Sequence, residues 1–322
     1  MFEPSSPLLE VRELRTLFPL RSGRGLVRAV DGVSFQIDAG TTLGLIGESG
    51  CGKSTLGRSV LRLVRPTSGE VWFEGQEVTA LPPAALRRLR RRMQFVFQDP
   101  YGSLNPRLTV GAALAEPLRI HRIVSRGQAE RDRVVALLER VGLSADALGR
   151  YPHEFSGGQR QRIGIARALA VGPRFVVADE PVSALDVSVQ AQVVNLLTDL
   201  QRQEGIAFLF IAHDLHVVEH VSQQVAVMYL GRMVEWSAPD VLRTGARHPY
   251  TQALVDAVPK LSPTGERRRR RLLQGEVPSP LAPPAGCHFH PRCPVAKRGL
   301  CDRETPLLRE VAPGHRVACH LA

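Results

Sequence analysis

The 322-residue sequence predicts an α/β fold, in which a helical block interrupts a parallel sheet. The short apolar runs FVVADE, AFLFIAHD and QVAVMYL have the length and the continuous apolar character of buried parallel strands. Between about residues 105 and 170 the apolar positions recur at helical spacing instead, as in QAERDRVVALLERVGL. Further strands are predicted at VRAVDGVSFQI, TTLGLIGE, GEVWFEG and MQFVFQ, and a helix at KSTLGRSVLRLV.

The composition limits the class of protein. Hydrophobic residues make up 43% of the chain and charged residues 23%, which is typical of a globular protein rather than a disordered one. No apolar run approaches the ~18–20 residues that cross a bilayer. The first residues, MFEPSSPLLEVRE, lack the basic-then-apolar order of a signal peptide. We therefore expect a protein that is made and kept in the cytosol.

The net charge of +11 comes from arginines that cluster at residues 87–92 and 267–271. Such clusters are typical of nucleic-acid binding, of contact with anionic lipid headgroups, or of an ordinary solvated surface. Aromatic residues make up only 5% of the chain, which is few for a protein that stacks on bases. The charge fits a protein beside a membrane at least as well, and we predict no nucleic-acid partner.

A phosphate-binding loop is predicted at GESGCGKS, which fits the P-loop pattern between a strand and a helix. Glycines let the loop wrap closely, so that backbone N–H groups and the helix N-terminus face the phosphates. Lys53 is expected to reach the β- and γ-phosphates of ATP, and the Ser54 hydroxyl to bind Mg²⁺. The predicted nucleotide-binding residues are Gly47, Glu48, Ser49, Gly50, Cys51, Gly52, Lys53, Ser54 and Thr55. Cys51 is interpreted as a small filler within this loop.

An acidic pair, Asp179 and Glu180, ends the apolar run FVVADE. Ligands bind at this edge of the sheet in such folds. Asp179 is expected to hold Mg²⁺, and Glu180 to act as the general base that polarises the attacking water. A pair of acids that merely caps a strand is the structural alternative, but the P-loop upstream favours the catalytic interpretation.

Residues 155–162, FSGGQRQR, resemble the signature of the ABC family of ATPases. Small residues at a helix N-terminus form a second phosphate cradle. In that family the cradle closes on the γ-phosphate held by the opposite subunit, so the resemblance implies a two-fold dimer with ATP between the subunits. The residues implied here are Ser156, Gly157, Gly158 and Gln159.

The remaining elements of the ABC family occur in order. Gln98 in FVFQDP resembles the Q-loop glutamine that senses Mg²⁺ and the attacking water, and Asp186 in SALD resembles part of the D-loop. His213 in IAHD resembles the switch histidine. Phe18 is predicted to stack on adenine, with Phe35 as the alternative ring. The resemblance therefore implies three catalytic residues, Glu180, His213 and Gln98, and three Mg²⁺-binding residues, Ser54, Gln98 and Asp179.

Three stretches, QDPYGSLNPRLTV, HPYTQALVDAVP and QGEVPSPLAPPAGCHFHPRCP, resemble the ATPases of oligopeptide/dipeptide importers. The resemblance implies a peripheral protein at the cytoplasmic face of the membrane that powers peptide import. Its partners would be a second, paralogous ATPase, two transmembrane permease subunits and an extracytoplasmic solute-binding protein. Relatives that import nickel or other small solutes are an alternative. A soluble ABC ATPase that acts on nucleic acid is another, although the chain has one cassette and no long heptad run.

The same resemblance implies an α/β P-loop ABC ATPase core with an inserted helical subdomain at about residues 105–170. The nucleotide-binding domain would cover residues 1–261, and a short Cys-containing C-terminal extension residues 262–322. In a reducing cytosol, clustered cysteines favour a metal site over disulfides. Some relatives with this tail carry a [4Fe-4S] cluster, which is the implied cofactor beside ATP and Mg²⁺; zinc and free thiols are the alternatives. The implied ligands are Cys287, Cys293, Cys301 and Cys319.

The tail lies far in sequence from every ATP motif. We therefore expect the metal centre in the tail to have a structural role, and loss of the cluster to loosen the tail or the partner contact before it affects hydrolysis.

Overall fold

The computed structural model describes residues 6–20, 25–257 and 275–322. The predicted domain boundary at residue 261 and the arginine run at residues 267–271 lie outside the described residues. The chain divides into two compact units. The helical unit comprises Met1–Leu8, Ile37–Thr41 and Ala80–Ile211, and the P-loop unit comprises Leu9–Gln36, Thr42–Thr79 and Ala212–Ala322.

The strands are β1 (Leu9–Pro19), β2 (Leu26–Ile37), β3 (Thr42–Ile46), β4 (Ser68–Phe73), β5 (Gln76–Glu77), β6 (Met93–Val96), β7 (Phe175–Asp179), β8 (Ala207–Ile211), β9 (Gln224–Tyr229), β10 (Arg232–Ser237), β11 (Arg309–Ala312) and β12 (His315–Val317). The helices are α1 (Lys53–Val60), α2 (Pro83–Leu89), α3 (Pro100–Ser103), α4 (Val110–Ile120), α5 (Gln128–Arg140), α6 (Gly157–Leu169), α7 (Val187–Glu204), α8 (Leu215–Val221), α9 (Pro239–Gly245) and α10 (Pro249–Ala257). Short 3-10 helices cover Ala145–Gly149, Pro152–Glu154 and His290–Arg292.

The helical unit contains two of the three predicted parallel strands, β7 and β8, and the predicted helical block. β6 pairs with β7, and β7 with β8, both in parallel register. Every residue of β7 and β8 is buried, as continuous apolar runs require in a parallel sheet. The block between residues 105 and 170 holds α4, α5 and α6, so the prediction of an inserted helical block is confirmed.

Side-chain caps fix where α4 and α7 of the helical unit begin. The Thr109 side chain accepts a hydrogen bond from the N–H of Ala112 at the start of α4, and Asp186 does the same for Val189 at the start of α7. At its other end α7 stops at Gly205, which takes the left-handed conformation (φ 63°).

The P-loop unit combines two sheets. β3 and β9 are parallel, β10 pairs antiparallel with β9 and β12, and β11 completes this part of the sheet. β1 pairs antiparallel with β4, which also pairs with β5, and β2 is the other neighbour of β1. The predicted helix after the P-loop is shorter than expected: α1 ends at Val60, because Arg62 takes a left-handed backbone (φ 53°) that cannot continue a helix.

Among the described residues, no helix combines the length and the apolar character needed to cross a membrane.

Candidate nucleotide site

The P-loop connects β3 to α1 in the P-loop unit, as predicted. Two of its glycines are required by close backbone packing. A Cβ added at Gly52 (φ 107°) would lie 1.9 Å from the carbonyl oxygen of Ala29, and one added at Gly47 (φ 155°) would lie 2.2 Å from that of Met228. Since any side chain at either position would overlap neighbouring backbone, the shape of the loop depends on glycine.

The Lys53 ammonium spans the loop. Its Nζ donates hydrogen bonds to the carbonyl oxygens of Gly47, at 2.7 Å, and of Glu48, at 3.0 Å. Gly52 is the N-cap of α1 and contributes no side-chain acceptor to the N–H groups of the first turn. A buried cation beside such a helix N-terminus fits the triphosphate of ATP.

Burial raises the pKa of the Cys51 thiol, so this side chain is neutral at physiological pH. Cys51 is 4% exposed. These properties agree with its interpretation as a small filler of the loop.

The acidic pair lies at the end of β7 in the helical unit. Asp179 is the last residue of the strand and is fully buried. Glu180 follows it with a left-handed backbone (φ 44°), and its N–H donates to the carbonyl oxygen of Ile211 at the end of β8. A positive φ is uncommon for a non-glycine residue and marks a turn that is held by its surroundings.

Gln98 and Glu180 are brought together. The Gln98 side-chain amide donates a hydrogen bond to Oε2 of Glu180 at 2.8 Å, across 82 residues of sequence. One carboxylate oxygen is thereby oriented, and the carboxylate retains acceptor capacity for a water molecule. This arrangement suits a general base.

The signature segment begins α6. The Ser156 hydroxyl accepts from the N–H of Gln159, and the Gln159 side chain accepts from the N–H of Ser156, so the two residues form a capping box. Gly158 packs so closely on α7 that a Cβ there would lie 2.2 Å from Cγ1 of Val189. Gly157 is less tightly enclosed, with its nearest neighbour at 3.5 Å from such a Cβ.

The remaining predicted residues, Asp186, His213 and Phe18, differ in their hydrogen bonds and in their exposure. Hydrogen bonds from Ser188 and from the N–H of Val189 lower the pKa of Asp186, whose carboxylate caps α7. His213 follows β8 and is exposed. Phe18 is 38% exposed near the end of β1, whereas Phe35 is 5% exposed. Phe18 is therefore the more accessible of the two rings, and its stacking on adenine stays a prediction.

The C-terminal extension reaches the P-loop, although it lies far from the ATP motifs in sequence. Arg292 forms a two-fold ion pair with Glu48, the second residue of the loop. The hydroxyl of Tyr250 accepts a hydrogen bond from the N–H of Glu48 at 2.7 Å. Sequence analysis identified the segments that carry Tyr250 and Arg292 as resembling peptide importers, but it missed these contacts.

The cysteines of the tail are free thiols. The N–H of Cys287 donates to the carbonyl oxygen of Cys301 at 2.8 Å. Burial, together with the charges of the other three tail cysteines, raises the pKa of Cys287 to about 11. Within the described ranges, no group of three or more His, Cys, Asp or Glu side chains is arranged to hold a metal ion. The predicted metal centre therefore stays a prediction.

Comparison with protein families defines the class. The family model "ABC transporter" matches residues 30–183, and the model "Oligopeptide/dipeptide transporter, C-terminal region" matches residues 234–301. The chain belongs to the ATP-binding proteins of the ABC transporter family, and it is an ATPase.

Individual relatives show which members of this family the chain resembles. The oligopeptide transport ATP-binding protein AppF of Bacillus subtilis is 52% identical over 98% of this chain and 97% of its own length. The putative oligopeptide transport ATP-binding protein YkfD of the same organism is 54% identical over 98% of this chain and 95% of its own length. A putative peptide import ATP-binding protein of Brucella ovis is 53% identical over 98% of both chains.

Solved structures agree with the fold. The dimeric ATP-binding cassette MJ0796, in a post-hydrolysis state bound to ADP and Pi, is 28% identical with a TM-score of 0.66 and covers 72% of this chain and 98% of its own. The cbiO1 protein of Clostridium perfringens, part of the ABC transporter complex cbiONQ, is 26% identical with a TM-score of 0.65. The match covers 75% of this chain and 93% of cbiO1. The predicted α/β P-loop ABC ATPase fold is confirmed.

Proposed function

We propose that this chain binds and hydrolyses ATP to power the import of peptides across the cytoplasmic membrane. The observation that carries the proposal is the hydrogen bond between Gln98 and Glu180, because it gives the carboxylate after β7 the orientation that a general base needs. The names of the relatives and the match to the oligopeptide/dipeptide C-terminal region support peptides as the solute.

In the proposed reaction, Lys53 and the N–H groups at the start of α1 bind the β- and γ-phosphates. Ser54, Asp179 and Gln98 would hold Mg²⁺, which neutralises charge on the phosphate oxygens. Water attacks the γ-phosphorus, its proton passes to Glu180, and the bond to the β-phosphate oxygen breaks to release ADP.

The second half of each ATP site would come from a partner subunit. The residues offered to the partner's nucleotide are Ser156, Gly157, Gly158 and Gln159, with Asp186 at the dimer contact. His213 would hold the γ-phosphate, and Phe18 would stack on adenine. A dimeric cassette among the similar structures supports this arrangement.

The proposed partner is a paralogous ATPase subunit, and the two together would act on two transmembrane permease subunits. An extracytoplasmic solute-binding protein would deliver the peptide. The chain itself would be peripheral, at the cytoplasmic face of the membrane.

The tail is proposed to bind a [4Fe-4S] cluster through Cys287, Cys293, Cys301 and Cys319. Four thiolates are the donor set that such a cluster takes. Bound metal would stabilise a Pro- and Gly-rich tail by adding its binding free energy to folding.

The central test is steady-state ATPase activity and peptide uptake in the assembled transporter, reconstituted in proteoliposomes. Glu180→Gln should keep ATP binding and reduce turnover by about 10²–10⁴-fold, the usual contribution of a general base. Lys53→Ala should instead weaken ATP binding. Glu139→Gln removes an exposed carboxylate on α5 and should leave both properties unchanged.

Near-normal turnover in Glu180→Gln would remove this residue from the catalytic role. ATP-dependent uptake of nickel but not of labelled di- and oligopeptides would replace the proposed solute.

A further inference from the structure

A buried arginine of the C-terminal extension lies against the P-loop. The Arg292 side chain is 7% exposed. Its Nη1 donates to Oε2 of Glu48 at 2.8 Å, and its Nη2 donates to Oε1 at 3.0 Å. Two parallel hydrogen bonds between a guanidinium and a carboxylate are strong and fix the orientation of both groups. The Glu48 carboxylate accordingly raises the pKa of Arg292, which stays charged.

Glu48 is held at three points. Arg292 binds its carboxylate, the Tyr250 hydroxyl accepts from its N–H, and the Lys53 ammonium donates to its carbonyl oxygen. The same carbonyl oxygen accepts from the N–H of Cys51 at 3.3 Å. Both the side chain and the backbone of this loop residue are therefore constrained, and two of the constraints come from outside the P-loop.

An aromatic cluster anchors the two residues that hold Glu48 from outside. The rings of Tyr229, Tyr250 and Phe289 have centroid separations of 4.7, 5.2 and 5.5 Å, and all three are buried. Phe289 belongs to the same short segment as Arg292. Its contact with Tyr229, the last residue of β9, holds this segment beside the strand. The Tyr229 hydroxyl is also 3.4 Å from Nη1 of Arg292. Because this packing already fixes the guanidinium, Arg292 loses little conformational entropy when the loop binds its ligand.

The charge of Glu48 gives this contact a chemical purpose. A carboxylate in a loop that receives a triphosphate repels the ligand unless a cation compensates it. Arg292 provides that cation from a buried position, where the attraction is screened less than at the surface.

We infer that Arg292 of the C-terminal extension and Tyr250 of α10 are positioning residues for ATP binding, and that together they set the shape and the charge of the P-loop. The inference rests on the proposed function and deepens it. The extension becomes part of the nucleotide site, although none of its residues needs to touch ATP.

The test is equilibrium binding of ATP to the purified full-length chain, together with KM and kcat in the assembled transporter. Arg292→Met removes the charge while keeping an unbranched side chain. It should raise the Kd and the KM for ATP by about 10- to 100-fold, the range expected when a positioning group is lost. The kcat at saturating ATP should fall much less.

A second substitution separates positioning from simple loss of packing. In the double variant Arg292→Met with Glu48→Gln, no carboxylate remains uncompensated, so the Kd should return most of the way to the wild-type value. Arg292→Lys keeps the charge without the two-fold geometry and should lie between wild type and Arg292→Met. Arg119→Met breaks a comparable two-fold pair with Glu130, far from the P-loop in sequence, and should leave the Kd unchanged.

Wild-type affinity in Arg292→Met would overturn the inference. So would weakened binding that Glu48→Gln does not relieve, because Arg292 would then act through packing alone. If Arg292→Met does not fold, the variants Arg292→Lys and Tyr250→Phe test the inference instead. Tyr250→Phe leaves the N–H of Glu48 without its acceptor. Wild-type affinity for ATP in both variants would overturn the inference. A wild-type chain that neither binds nor hydrolyses ATP is a distinct result, which removes the proposed function together with the inference.

Discussion

Acidification should destabilise the P-loop unit through His248, one of its buried histidines. His248 is 1% exposed, its backbone N–H donates to Oε2 of Glu235, and its ring Nδ1 accepts from the backbone N–H of Tyr250 at 3.1 Å. Burial lowers the pKa of His248 from the ordinary value of 6.5 to about 3. The folded protein therefore keeps this imidazole neutral at pH values where the unfolded chain binds a proton.

The sign and size of the effect follow from this difference in pKa. Above pH 6.5 His248 is neutral in both states, so stability is fully present there. As the pH falls below 6.5, the unfolded chain gains the proton alone, and the free energy of unfolding decreases by about 1.4 kcal/mol per pH unit. At pH 4 the loss amounts to roughly 3 kcal/mol, and it levels off near pH 3, where the folded protein is protonated too.

Urea unfolding monitored by tryptophan fluorescence between pH 7 and pH 4 measures this loss. Both tryptophans of the chain, Trp72 and Trp236, belong to the P-loop unit together with His248. His248→Asn provides the control, because an amide oxygen can replace the Nδ1 acceptor without titrating. Other ionisable groups contribute equally to the pH dependence of stability in wild type and in His248→Asn, so their contribution cancels when the two proteins are compared. Equal dependence of stability on pH in the two proteins would refute the reasoning.

Two further predictions concern packing and the tail. Gly44→Ala places a Cβ 2.0 Å from Cγ1 of Val218 and should lower the free energy of unfolding by about 1–3 kcal/mol in the same urea assay, whereas Gly245→Ala, with open space around its Cβ, should be neutral or slightly stabilising. Protein purified anaerobically with iron and sulfide should be brown and absorb in the visible region; Cys293→Ser should abolish the colour and Cys51→Ser should retain it. A colourless wild-type protein with about one equivalent of zinc would assign the site to zinc instead.

Part of the fold escaped sequence analysis because its pattern is weak. β1 alternates irregularly between buried and exposed residues and contains a register shift between Arg12 and Arg15, so it lacks a clean period of two. β11 and β12 are only four and three residues long, too short for any periodicity. The central strands β7 and β8 were predictable because burial on both faces makes them continuously apolar.

The local parts of the nucleotide site were predictable from the sequence alone. The P-loop, the acids at the end of β7 and the small residues at the start of α6 are each contiguous in sequence. Each depends on a strand end or a helix start that the same few residues define. The contacts between distant residues depend on the tertiary fold: Gln98 meets Glu180 across 82 residues, and Arg292 meets Glu48 across 244. Such pairs leave no local pattern, because sheet pairing and the packing of the extension bring them together rather than the chain between them.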